Sequence, residues 1–314
     1  MSFEMAESYG AAGGLVRVYP ADAAAARPTA GLVWVHGGGF AAGDLDMPEA
    51  DRVSRELAAR GVTVVSVDYR LVGDGCRYPA PSDDVIAAWR WTLGHVDELG
   101  IAPARAALGG ASAGANLAAG STLRMLARAT VGEGAIIDSA GGAPAPGATP
   151  EVAQETRALS ANLDLPAGVF LAYPTLLAVQ PTPDAALRAL LDANPEADTF
   201  GPARVRAMYE GYLGGPVEDA PLPAVPGLAA ASDLAGFPPV LMVNSETDEL
   251  RVSGEVFAAT LAEAGVPAEV VTEPGTRHGH LNRPDEPAAS VTIERVVRWL
   301  DALTTDSTTE GSTP

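Results

Sequence analysis

Apolar residues along the chain come in short runs that Gly, Pro or Asp bring to an end, and the longer stretches between these runs repeat with helical period. These short runs predict strands over 15–19, 31–35, 62–67, 105–108, 169–172, 240–244 and 268–272. The segments 48–60, 82–99, 113–128, 202–213, 252–264 and 287–303 carry the helical pattern. Strand and helix in alternation give an α/β fold with a mostly parallel central sheet flanked by helices, because a parallel pair needs a crossover and a helix supplies it. The helix over 82–99 is expected to start at Ser82, where a hydroxyl followed by Asp83 and Asp84 offers acceptors to unpaired N–H groups.

Two stretches break the alternation. Residues 131–166 are rich in Gly, Ala and Pro and read as a long connection with one short helix near 151–159. Residues 175–238 hold helical patches at 185–191 and 204–213 and then a Pro-rich descent, the pattern of an excursion between two strands. We expect it to cap a core made of 1–174 and 239–303. The tail 304–314 is mainly Thr, Ser, Gly and acid, and is expected to be disordered.

With 314 residues, 47% of them hydrophobic, the chain can bury one large core, so a single domain with an insertion is expected. Acidic residues number 40 against 20 basic ones, and the net charge of −20 makes nucleic acid and membrane surfaces poor partners. All the basic residues are Arg, which removes phosphate-loop lysines, Schiff-base lysines and serine–lysine dyads. The single cysteine, Cys76, permits no intramolecular disulfide and no multi-cysteine zinc site. The opening MSFEMAESYG lacks the basic and apolar regions of a leader, and apolar residues never run together for about 18 positions. A cytoplasmic protein is the expectation.

Gly110-Ala111-Ser112-Ala113-Gly114 matches G-x-S-x-G, a tight strand-to-helix turn that presents a serine as nucleophile. Composition alone produces about 0.18 such matches, so the weight rests on its setting between a predicted strand and a predicted helix. His36-Gly37-Gly38-Gly39-Phe40 follows another strand, and chance yields only about 0.005 histidines before three glycines. Bare peptide amides in such a loop can donate to an oxyanion beside the nucleophile, and Gly38 and Gly39, with Ala113, are the candidate donors. His36 is read as a hydrogen-bonding prop of the loop.

A serine hydroxyl needs a base, and the base needs an orienting acid. Of the four histidines, only His278 and His280 follow Ser112, both just beyond the last predicted strand. Position favours His278, nearer the strand end. His95 reads as a solvated helix-face residue. The acid should follow the strand 240–244, where Glu246, Asp248 and Glu249 are not separable by spacing.

Together these stretches resemble the hormone-sensitive-lipase-like branch of the α/β-hydrolases, bacterial carboxylesterases marked by HGGG and a GDSAGGN-type elbow. The matching residues are His36 to Phe40, Val67-Asp68-Tyr69-Arg70-Leu71 with Tyr78-Pro79-Ala80 and Asp83 or Asp84, then Gly110 to Leu117. Tyr173-Pro174, Phe237-Pro238-Pro239, Asp248-Glu249-Leu250-Arg251 and His278-Gly279 complete the set. The resemblance implies an α/β-hydrolase fold with an inserted cap, and a serine carboxylesterase that cleaves short-chain esters through an acyl-enzyme without metal or cofactor. It selects Asp248 as the acid and His278 as the base. It further implies a small-molecule ester as the partner and a monomer or homodimer as the assembly.

Ala111 and Ala115 depart from the family pattern, and only about 30 residues precede the first glycine motif, which leaves the pocket roof to 175–238. Arg70 is expected to pair with Asp83 or Asp84, and Cys76 is incidental. The alternatives are a non-catalytic small-molecule binder, or an amidase or acyltransferase using the same groups.

Overall fold

The computed structural model describes residues 7–132 and 165–303. The strands and helices are β1 (Tyr9–Ala11), β2 (Val16–Tyr19), β3 (Thr29–Val35), α1 (Asp51–Ala59), β4 (Val62–Val67), α2 (Ala80–Gly94), α3 (Val96–Leu99), β5 (Ile101–Ala111) and α4 (Ala113–Gly132). They continue with β6 (Val169–Ala172), α5 (Ala185–Ala193), α6 (Pro202–Leu213), β7 (Val240–Thr247), α7 (Arg251–Glu263), β8 (Ala268–Arg277) and α8 (Pro287–Ala302). All the strands join one sheet in the order β1-β2-β4-β3-β5-β6-β7-β8. β1 and β2 are antiparallel to their neighbours, and β4 to β8 with β3 run parallel.

The strand pattern sorts the core by parity. Val33, Val35, Val65, Val67, Leu108 and Leu171 face one way and pack against α2, α4 and α7 through Val85, Leu117 and Phe257. Leu32, Trp34, Val64, Phe170 and Val243 face the other way, against Val53 and Leu57 of α1 and Ile293, Val296 and Leu300 of α8. Burying each such side chain contributes about 1.5–3 kcal/mol. Trp34 and Phe170 stack at 5.4 Å across β3, β5 and β6, at the middle of the sheet.

The sheet departs from expectation in instructive places. β1 has only Tyr9, Gly10 and Ala11, too short and too exposed to leave an apolar pattern. β5 runs beyond Leu108 through Gly109 and Gly110, since pairing to Phe170 and Leu171 of β6 outweighs the weak strand preference of glycine. α2 begins at Ala80, not Ser82: Pro81 lies in its first turn, where a missing N–H costs nothing. The Ser82 hydroxyl caps nothing; it is buried 3.0 Å from that of Ser121 and accepts from Arg124 at 2.7 Å. α2 ends at Gly94, so His95 leaves the helix and stacks half-buried on Trp91 at 4.4 Å, contrary to the solvated position expected. Arg70 pairs with Asp84, while Asp83 takes Arg124.

α4 extends to Gly132, four residues past its expected end. Of the connection expected over 131–166, residues 133–164, which include the short helix expected near 151–159, lie outside the described residues, as does the tail 304–314. Among the described residues, no helix is long and apolar enough to cross a membrane.

Between β6 and β7, α6 buries Val205, Tyr209 and Tyr212. Asn116 of α4 donates to the Thr175 carbonyl at 3.1 Å and to the Tyr209 hydroxyl at 3.0 Å. Phe40 stacks on Tyr212 at 4.0 Å. These contacts tie α6 to α4 and to the glycine loop.

Candidate active site

Parallel strands bring their carboxyl ends to one edge of the sheet, and register decides which residues meet there. Val35 of β3 pairs with Gly110 of β5, so the loop that begins at His36 lies beside Ser112. Ala111 pairs with Ala172, which sets Tyr173 on the other side of the serine. Thr247 pairs with Arg277, and the next residues of those strands are Asp248 and His278.

Ser112 turns the chain from β5 into α4 with φ +53°, a left-handed conformation costly for a residue with a side chain. Gly114 lets α4 start this close to the sheet: a Cβ there would lie 2.1 Å from the Val35 carbonyl oxygen. Gly38 has φ +118°, and a Cβ on it would lie 1.9 Å from the Ala42 oxygen, so only glycine fits. Among the described residues, the N–H groups of Gly38 and Gly39 have no backbone acceptor. Ala113 is the first residue of α4, and its N–H has no acceptor within the helix. His36 is fully buried, with Nδ1 2.7 Å from the Gly37 oxygen and its ring stacked on Tyr69 at 4.5 Å, in the propping place expected of it.

His278 Nε2 lies 2.9 Å from Ser112 Oγ, and its Nδ1 lies 2.7 Å from Asp248 Oδ2. With the carboxylate on Nδ1, that nitrogen carries the proton and Nε2 is free to accept one from the serine. Asp248 is fully buried, and its Oδ1 accepts the Leu250 N–H at 3.0 Å. The other two candidate acids look elsewhere. Glu246 accepts from Gly275 N–H at 2.9 Å, and Glu249 from Phe200 N–H at 2.6 Å. Burial, with Asp198 close by, raises the Glu249 carboxyl above its usual range.

Glu49 escaped the sequence reading. Its carboxylate is buried and accepts from Gly37 N–H at 2.5 Å, the Tyr173 hydroxyl at 2.6 Å and Asn282 Nδ2 at 2.8 Å. One side chain thus links the glycine loop, the end of β6 and the loop after His278. Burial and then the Glu49 charge hold the Tyr173 hydroxyl protonated well beyond its ordinary range. No local spacing marks Glu49, because its three donors come from distant parts of the chain.

His280 stands apart from the serine. It is fully buried, with Nδ1 3.0 Å from Ser245 Oγ and Nε2 2.9 Å from Thr292 Oγ1. Burial foremost, then the charges of His278 and Arg283, push its pKa down to about 3. The unfolded chain binds a proton there near pH 6.5, whereas the folded chain stays neutral, so stability falls as pH drops from about 6.5 towards 3. The slope from this residue is about 1.4 kcal/mol per pH unit. Urea unfolding at several pH values should show the wild type losing stability faster on acidification than His280→Gln. Equal slopes would mean that His280 is protonated in the fold.

A cavity of about 600 Å³ opens over Ser112 and His278. Gly38, Gly39, Glu49, Tyr173 and Asn282 contribute to one side, and Met47, Phe200, Arg204, Ala207 and Met208 to the rest. Phe200 meets the His278 ring edge-on at 4.5 Å. Such a size suits a small organic molecule. Among the described residues, no cluster of His, Cys, Asp and Glu is arranged to hold a metal ion.

Known proteins resemble this chain in sequence and in fold. The sequence profile of the α/β-hydrolase-fold family matches residues 32–282. The chain is 32% identical over 255 residues to carboxylesterase NlhH of Mycobacterium tuberculosis, a match covering 80% of this chain and 66% of that one, just under two thirds of the relative's length. Among solved structures, a bacterial heroin esterase superposes with a TM-score of 0.67 at 28% identity, covering 96% of this chain and 85% of that one. Brefeldin A esterase, a bacterial homologue of human hormone-sensitive lipase, superposes with a TM-score of 0.69 at 25% identity over 94% of this chain and 75% of that one. The matched stretch runs from β3 and the glycine loop through the serine elbow to the loop after His278, and the chain belongs to the α/β-hydrolase-fold family.

Proposed function

We propose that the protein is a serine carboxylesterase, and the observation that carries this reading is the His278 imidazole within hydrogen-bond reach of both Ser112 and Asp248 beneath an open cavity. Ser112 Oγ attacks the ester carbonyl carbon as its proton passes to His278 Nε2. The carbonyl oxygen takes up negative charge and is held by the N–H groups of Gly38, Gly39 and Ala113. The C–O bond to the alcohol then breaks, and the alcohol leaves with the proton from His278. Water, activated by the same imidazole, attacks the acyl-enzyme and releases the carboxylic acid. Asp248 holds the imidazole in one tautomer. Each step balances on these side chains, water and substrate.

Residues 175–238 roof the pocket through Phe200, Arg204, Ala207 and Met208, which favours small esters over long chains. The single cysteine, which can form no intramolecular disulfide, supports a cytoplasmic setting. Hydrolysis of a p-nitrophenyl ester chain-length series, with covalent phosphonate labelling mapped by mass spectrometry, tests the reading. The expected result is turnover greatest on short acyl chains and a label on Ser112. A stable protein that hydrolyses no ester would favour the non-catalytic binder instead.

In this reading Glu49 is a positioning residue, since it fixes the Gly37 amide and so aims those of Gly38 and Gly39. Glu49→Ala strands three donors, each at a cost of about 1–3 kcal/mol where water does not replace the carboxylate. We expect kcat to fall about 100-fold, the size of a lost oxyanion donor, with KM little changed. Steady-state kinetics beside denaturant unfolding checks this, and full turnover would show that the glycine loop holds itself.

A further inference from the structure

We propose that the substrate carries a carboxylate of its own, a short half-ester of a dicarboxylic acid whose free end binds Arg204; the proposal rests on the esterase reading. Arg204 stands in the first turn of α6 and lines the cavity. Its Nη1 donates to the Thr199 carbonyl at 3.1 Å, and its Cζ lies 5.3 Å from the centre of the Phe200 ring. These two contacts hold the guanidinium over the pocket wall and leave most of its five N–H donors unused. A planar fork held in this way is the group best matched to a carboxylate.

The acids on either side of Arg204 in sequence are engaged by other partners. Asp192 and Asp198 pair with Arg188, Glu196 with Arg277, and Glu210 and Glu218 with Arg206. Among the described residues, Arg204 makes no ion pair, although the chain has twice as many acids as bases. The acid inside the cavity, Glu49, is occupied by its three donors. Arg204 is thus the arginine among the residues that line the cavity, and the Glu49 carboxylate there is turned to neutral donors of the fold. A substrate carboxylate entering the cavity meets its matching partner at Arg204.

Distance limits the spacer. The Phe200 ring lies 4.5 Å from the His278 ring and 5.3 Å from Arg204 Cζ, so the guanidinium is within about 10 Å of the imidazole. A chain of roughly two to four methylenes between the scissile carbonyl and the carboxylate spans such a gap, and a fatty chain overshoots it.

The test compares monoethyl succinate, glutarate and adipate with neutral ethyl esters of matching chain length, followed by pH-stat titration at low and high salt, in the wild type and in Arg204→Gln and Arg204→Glu. The expected kcat/KM ratio of half-ester to neutral ester is about ten or more in the wild type at low salt, and it falls about tenfold in Arg204→Gln. It falls further in Arg204→Glu, and salt shrinks it in the wild type alone. A wild-type ratio at or below one, or a ratio that neither substitution alters, overturns the proposal. Hydrolysis of the neutral esters with no preference for any half-ester refutes the anionic substrate but keeps the esterase, whereas hydrolysis of neither class removes both.

Discussion

Ser112→Ala should lose about 10⁵–10⁶-fold in kcat on a short-chain p-nitrophenyl ester, since among the described residues no other hydroxyl shares the His278 Nε2 position. The remaining rate would come from the amide donors and the pocket acting on water. The variant should still fold, because alanine fills the same left-handed turn and the Ser112 N–H bond to the Ala172 oxygen, at 2.9 Å, is a backbone one. Its unfolding midpoint in urea should correspond to a stability within about 1 kcal/mol of the wild type. The phosphonate label should vanish along with activity. A variant that keeps more than about one per cent of the turnover would place the nucleophile elsewhere.

Asp248→Asn should cost about 10⁴-fold in kcat, through the tautomer rather than through loss of packing. The Asp248 Oδ1 already accepts the Leu250 N–H, so an asparagine keeps its oxygen there and turns its NH₂ towards His278 Nδ1. Two donors cannot face each other, and the imidazole responds by moving its proton to Nε2. That nitrogen then offers a hydrogen to Ser112 where an acceptor is required. Phosphonate inactivation should slow in proportion to kcat. Glu246→Gln and Glu249→Gln, whose carboxylates bind Gly275 and Phe200, should stay within about tenfold of the wild type in the same assays. A loss in Glu249→Gln as large as that in Asp248→Asn would reassign the acid.

How far the sequence carried depended on whether a feature was local. The strands of the sheet centre were legible because burial on both faces leaves short apolar runs, and the two glycine motifs were legible because each comes directly after a strand. The choice among Glu246, Asp248 and Glu249 was not, since it depends on Thr247 pairing with Arg277 across two strands. Ser82 misled for a related reason: its hydroxyl and acidic neighbours read as a helix start, but a proline one residue earlier had already opened the helix, and a partner on α4 took the hydroxyl. His95 and Glu49 show the same limit. One folds back on Trp91 beyond the helix end, and the other gathers donors from loops that periodicity does not relate.

The bond between Glu49 and Asn282 joins positions 233 residues apart. A ribosome adding about 5–20 residues per second needs roughly 10–50 s to cover that interval. Once Ser112 is made, 166 residues still separate it from His278, so the elbow serine and its glycine loop exist in the nascent chain before the imidazole or the amide that Glu49 awaits has been made. The Ser112–His278–Asp248 arrangement therefore assembles only after the segment that carries His278 has left the exit tunnel.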